Sequence, residues 1–187
     1  MESLLGVFTA FGLSASAGLN AYIPLLVIAL MARFTDLITL NSPWDALTSW
    51  WIIGLLVILS LIEFLVDKFP VINHINDVII QSFVRPTAGA IAFAASTNVV
   101  TDINPVLALA MGLLISGGVH AAKSVAIRPA VTAATGGTAN VPVSVAEDVT
   151  STTLSILSIV VPIVVMIMVA LFFTWVLWHF YLRSPQD

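Results

Sequence analysis

The sequence predicts an all-α fold: a polytopic membrane bundle of about five transmembrane helices plus an amphipathic or re-entrant segment. Three observations predict it. Of 187 residues, 59% are hydrophobic and only 9% charged, whereas a soluble domain carries roughly 25% charged residues. Mean hydropathy is +1.09, which leaves too little polar surface to keep a globule in water. The apolar residues also fall in long runs, several near the roughly 20 residues that a membrane-spanning helix requires.

The first run is Leu4–Ala32. Ala15-Ser16-Ala17 within it resembles a signal cleavage site, but Glu2 stands where a cationic segment belongs and no Lys or Arg precedes Arg33. The run also continues past the cut, so an uncleaved first helix is expected. Trp50–Val66 is the second span. The third, Arg85–Val100, is short and rich in Ala and Gly, with Pro86 suited to a first helical turn. Pro105–Ile127 and Leu154–Leu177 are the fourth and fifth. Between the second and third, Val71–Val84 sets Val71, Ile75, Val78 and Ile79 against Asn73, Asn76, Asp77 and Gln81. That pattern predicts an amphipathic helix at the interface or dipping into the bundle. One transmembrane domain over residues 1–187 is expected, divided into repeat halves 1–70 and 101–182 joined by 71–100.

Counting alternate loops puts Lys68, Arg85, Lys123 and Arg128 on one side and Arg33 and Arg183 on the other. The positive-inside rule then predicts a cytoplasmic N-terminus and an outside C-terminus. Trp44, Trp50 and Trp51 join Trp175, Trp178 and Tyr181 as an outer aromatic belt.

An internal similarity suggests the halves. The stretch from Gly12 to Ala21 aligns with that from Gly112 to Ala121, sharing Gly, Leu, Ser, Gly and Ala at a constant offset of 100. With five spans these helices run in opposite directions, which predicts an inverted-topology repeat with a binding site at its Gly- and Pro-interrupted helices near Asn20 and His120. Close packing of small residues is the alternative explanation.

Ionisable groups inside a bilayer cost about 2.5–3.5 kcal/mol on insertion scales, so each calls for a partner or a role. Glu63 and Asp67 share a face of the second helix, with Asp67 and Lys68 expected at the cytoplasmic interface and Glu63 a turn deeper. His120 and Lys123 share a face of the fourth, and Lys123 is the expected partner of Glu63. Pro129–Ala146 reads as a long loop of small residues, re-entrant or solvent-exposed, ahead of Glu147 and Asp148, which read as caps on the last helix. Together with Asn20, Asp77 and Arg85, the residues Glu63, Asp67, His120, Lys123, Glu147 and Asp148 form the expected substrate or ion pathway.

Other classes are excluded or lack support. The net charge of −4 is spread along the chain and gives nucleic-acid binding no basis. Cysteine is absent, and with it disulfides, thiolate catalysis and thiolate metal sites. No zinc-protease, nucleophile-elbow, Walker or dinucleotide signature occurs, so no cofactor and no catalytic residue is expected. His74 with Asp77, or His120 with Glu63, could ligate a metal, without a spacing signature.

Glu63-Phe-Leu-Val-Asp67-Lys68-Phe-Pro70, Asn76-Asp77 and Arg85-Pro86-Thr-Ala-Gly89-Ala resemble the central motif of a bacterial membrane family named domain of unknown function 4126. His120-Ala-Ala-Lys123 and Val145-Ala-Glu147-Asp148-Val resemble its second motif, and the similarity covers essentially the whole chain. Where that family tends to carry an Asn-x-x-Pro-rich loop with an aromatic residue, this chain has Ala133-Ala-Thr-Gly-Gly-Thr-Ala-Asn140. The resemblance implies a multi-pass α-helical protein of the bacterial inner (cytoplasmic) membrane and brings no established activity. The expected function is a small transporter or channel-like protein for an unidentified solute or ion, embedded in the lipid bilayer and acting as a homo-oligomer. A lipid-binding protein or enzyme at the cytoplasmic interface is the rival, and a structural scaffold the third reading.

Overall fold

The computed structural model describes residues 2–68, 81–97 and 103–179. These residues are all-α, with seven helices and no strand among them. Helices α1 (Glu2–Leu19) and α2 (Tyr22–Phe34) meet at Asn20. A 3-10 helix, Trp44–Thr48, leads to α3 (Trp50–Val66), and α4 spans Gln81–Thr97. Helix α5 (Pro105–Thr135) contains a π-helical segment, Ala122–Ile127. Helices α6 (Asn140–Val160) and α7 (Pro162–Leu177) complete the order.

Local chemistry sets these boundaries. Ser49 caps α3 by accepting the Ile52 N–H, and Asn104 caps α5 by accepting the Val106 N–H, with Pro105 in the first turn. Gly136 and Gly137 end α5 at φ 62° and 88°, left-handed backbone that glycine adopts without strain. Pro162 cannot donate into the preceding turn, so α6 stops at Val160 and α7 starts anew. The wide π turn lies just before Pro129, whose ring would otherwise press on the carbonyl of Val125.

Helix α1 is the axis of the bundle. Residues 12–18 are buried all round, and α4, α5, α6 and α7 surround them. Small residues allow that closeness. A Cβ on Gly18 would sit 2.6 Å from the Ser116 carbonyl oxygen, one on Gly89 2.2 Å from Ser116 Cβ, and one on Gly112 2.4 Å from the Gly89 oxygen. Ser14 Oγ donates to the Gly112 carbonyl at 2.8 Å. Contacts pairing 14 with 112 and 18 with 116 advance together, so α1 and α5 run parallel.

This corrects the inverted repeat expected between these two stretches. The five-span count treated Leu4–Ala32 as one helix, but the chain reverses at Asn20. The far end of α2 returns to the start of α3, where Arg33 donates to the Thr48 carbonyl and lies 4.2 Å from the Trp50 ring centre. Trp44 of the 3-10 helix packs with the apolar cluster of Ala10, Phe93 and Ala108, at the end where α1 begins. The extra reversal turns the expected antiparallel pair into a parallel one. Three other boundaries also move. Helix α4 is already formed at Gln81, the first described residue of that stretch, leaving Pro86 inside it. The expected loop over 129–146 is mostly helix, as the end of α5 and the first turns of α6. The expected last span, Leu154–Leu177, is divided at Val161. The proposed amphipathic segment lies outside the described residues except for its end at Gln81–Val84.

Exposure runs opposite to that of a water-soluble domain. Trp51 is 91% exposed and Val106 74%, while Arg85 and Lys123 are at 0% and 1%. Two helices, Pro105–Thr135 and Asn140–Val160, are long and apolar enough to cross a membrane.

The glycine crossing gives the first prediction. Gly112→Val drives a side chain into the backbone of Gly89 and Ala90 and should cost at least about 1–3 kcal/mol. Gly54→Ala, with nothing within 4 Å of the new Cβ, should leave stability unchanged or slightly raised. Thermal unfolding of both variants in detergent checks the contrast.

Candidate functional site

The break between α1 and α2 exposes orphan backbone groups, which the chain satisfies with its own side chains. Asn20 Oδ1 accepts the N–H groups of Tyr22 and Ile23 at 3.2 and 3.1 Å. The Ala21 N–H points at the Glu63 carboxylate, 3.2 Å from Oε1 and 3.1 Å from Oε2. On the other side of the break, Lys123 Nζ donates to the Leu19 carbonyl at 3.2 Å. A carboxylate therefore meets the positive end of α2 and an ammonium the negative end of α1, as the helix dipoles favour.

These two charges belong to a buried ion network. Arg85, on the first turns of α4, donates Nε and Nη2 to Glu63 Oε1 at 3.2 and 3.1 Å, and Nη2 reaches Asp67 Oδ2 at 3.1 Å. Lys123 pairs with Glu147 Oε2 at 3.0 Å, and Arg128 closes on both oxygens of the same carboxylate. Lys68 joins Asp148 Oδ2 at 3.0 Å, while Asn20 Nδ2 donates to Asp148 Oδ1 at 3.0 Å. Pairing of this kind is what makes such burial tolerable, since a lone charge there would be strongly destabilising.

Beside the network runs a hydroxyl cluster. Ser16 Oγ lies 2.8 Å from Ser151 Oγ and 2.7 Å from Ser155 Oγ, and donates to the Ser151 carbonyl. On α6, Ser144, Asp148, Ser151, Ser155 and Ser158 follow at spacings of three and four, and all are buried. One face of a long helix is thus polar and turned inward.

Of the residues expected in the pathway, Asn20, Glu63, Asp67, Arg85, Lys123, Glu147 and Asp148 lie in this one network. His120 lies at its edge, with Nε2 3.4 Å from Ser82 Oγ. Asp77 lies outside the described residues. Several expected pairings are corrected. The ion-pair partner of Glu63 is Arg85, because Lys123 is drawn to Glu147 and the Leu19 carbonyl. Asp67 is only 2% exposed and pairs with Arg85 inside the protein. Glu147 and Asp148 sit in the interior of α6, where they pair with cations and do not cap its start. Sequence reasoning missed Ser16, Ser151 and Ser155; their inward spacing on α6 was the available signal. No group of three metal-ligating side chains occurs among the described residues.

The family profile described as Domain of unknown function (DUF4126) matches residues 7–181. No curated protein matches the chain, and no solved structure does.

A double-mutant cycle tests the pairing. Arg85→Met strips the counter-charge from two buried carboxylates and should cost about 3–5 kcal/mol. Lys123→Met should cost less, because Glu147 keeps Arg128. Glu63→Gln should couple strongly to Arg85→Met and more weakly to Lys123→Met, with about 0.5–3 kcal/mol as the range for contacting residues. Equal coupling to both would overturn the assignment.

Proposed function

The chain belongs to the family described as Domain of unknown function (DUF4126), and on its geometry we propose that it is a polytopic membrane transporter for a small solute or ion. The carrying observation is the buried reversal at Asn20: the end of α1 and the start of α2 lie side by side inside the bundle, each matched by a charged side chain. Like the interrupted helices of transporters, such ends offer backbone groups and dipoles to a substrate. Irregular backbone at membrane depth is tolerated where protein buries it, and here the Glu63, Asn20 and Lys123 contacts do so. The outward apolar faces of α3, α5 and α6 suit a lipid surround.

The network lies at one end of the bundle. Glu63 is thirteen residues from Trp50, about 20 Å along α3 at 1.5 Å per residue. Lys68, Arg85, Lys123 and Arg128 gather there, so the positive-inside rule puts that end in the cytoplasm. With the chain reversing at Asn20, the N-terminus then lies outside, opposite to the orientation counted from five spans.

Lipid binding is a second reading, favoured by an apolar cleft of about 230 Å³ between α1, α5, α6 and α7, lined by Leu19, Val119, Met168 and Phe172 among others. Its walls carry no charged side chain to hold a headgroup, which ranks it below transport.

The chain has no cysteine, so single-cysteine variants report access cleanly. Ala46→Cys, in the exposed 3-10 helix at the end where α1 begins, should react with an impermeant thiol reagent from outside and Thr138→Cys from the cytoplasmic side. Asn20→Cys and Ser16→Cys, beside the break, should react from both sides in turn. Protection of both from either side, in protein that remains folded, would remove the transport reading and favour a scaffold.

A further inference from the structure

The geometry points to the Glu63 carboxylate as a tethered stand-in for the cargo: a small carboxylate anion that enters with one proton and takes Glu63's seat between Arg85 and the first turn of α2. The inference rests on the transport reading and names its substrate class.

The seat is built for a carboxylate group. Arg85 presents Nε and Nη2 to Oε1, and the Ala21 N–H lies within 3.2 Å of both oxygens. All of these contacts are to the carboxylate oxygens, so a free carboxylate could satisfy them equally. The guanidinium fork matches a planar oxyanion, and the α2 dipole favours negative charge. A second observation points to a guest. Gln81, one turn before Arg85 on the same face of α4, is 3% exposed, and its Oε1 has no partner among the described residues. That oxygen can accept a hydrogen bond from a hydroxyl or a protonated group brought in beside Arg85.

The seat itself requires the proton. One guanidinium fork and one N–H cannot hold two carboxylates in the same place, so Glu63 must be neutral while the cargo is seated. Among the described residues, the titratable and charged groups around Glu63 are Arg85 from α4, Asp67 next to its own helix, Tyr22 from α2 and Lys123 from α5. A proton taken up by Glu63 neutralises it and loosens its hold on Arg85 and Ala21. The anion then occupies the seat, and on release Glu63 loses the proton and returns. One proton and one monoanion carry no net charge together, so the cycle is electroneutral.

Binding of formate, acetate and pyruvate to the full-length protein in detergent tests this, with chloride as control. In the wild type, pyruvate affinity should rise about tenfold for each pH unit of acidification while one proton is taken up with the anion. Glu63→Gln, which fixes the neutral side chain, should bind at least tenfold more tightly near neutral pH and lose the pH dependence. Arg85→Lys should abolish binding. If Glu63→Gln does not fold, the wild-type pH series decides alone. No carboxylate binding above the chloride background at any pH overturns the inference, and so does affinity independent of pH in the wild type. Two-sided cysteine access at Asn20 without carboxylate binding leaves transport standing and removes only the carboxylate seat. Carboxylate binding with Asn20 reachable from one side only removes transport itself, and the carrier step with it.

Discussion

A helix interrupted inside a packed bundle leaves backbone N–H and C=O groups that water cannot reach. Each costs free energy comparable to a lost hydrogen bond. At Asn20 this chain satisfies the first N–H groups of α2 with Asn20 Oδ1 and Glu63, and the Leu19 carbonyl with Lys123. That choice brings a carboxylate and an ammonium into the interior, and each then needs a counter-charge. Arg85 answers Glu63 and also binds Asp67; Glu147 answers Lys123 and also binds Arg128. The ion network is thus the consequence of one buried reversal between helices, spread over α3, α4, α5 and α6. Its members are held by geometry as much as by charge.

The packing around α1 follows from the same constraint. Side chains that must reach the break from four other helices can do so only if those helices approach closely. Gly18, Gly89 and Gly112 remove the Cβ atoms that would keep α1, α4 and α5 apart. The serines do comparable work on the α6 side. Ser16 joins Ser151 and Ser155 with hydroxyl contacts under 3 Å, at a distance where larger side chains would not fit. Large apolar side chains are displaced to the outside, as on α3, where Trp51, Leu55 and Ile58 are all exposed.

This inversion explains what the sequence made legible. Helix α3 was readable residue for residue, because Trp50–Val66 is an unbroken apolar run bounded by Ser49 and Asp67. The start of α5 at Pro105 was equally plain. An interruption near Asn20 was legible from its Gly and Pro residues, but the reversal of the chain there was hidden because hydropathy stays high across it; only Asn20 with Pro24 four residues later marked a new helix start. Helix α6 was obscured for the opposite reason. Its early turns are small and polar and resemble a loop when an apolar face is sought, yet Ser144, Asp148 and Ser151 repeat at helical spacing on its inward side. Composition and the ordered polar landmarks therefore reached the helical class and most members of the network. Pairing did not follow, because which cation reaches Glu63 depends on the helix directions, and those turn on the unseen reversal.

The offset-100 similarity takes on a different meaning once α1 and α5 are parallel. At Asn20 the first helix breaks; two residues past His120 the fifth enters its π segment. The two defects lie side by side, since Lys123 of the π segment donates to the Leu19 carbonyl at the end of α1. A π turn places one more residue in the turn than an α-helix does and shifts the side chains that follow it. Arg128, whose N–H bonds back to the Lys123 carbonyl, is among those that follow, and it meets Glu147. The two irregularities therefore lie directly beyond the close packing at Gly18, Gly89 and Gly112, at the end of the molecule where the charges are.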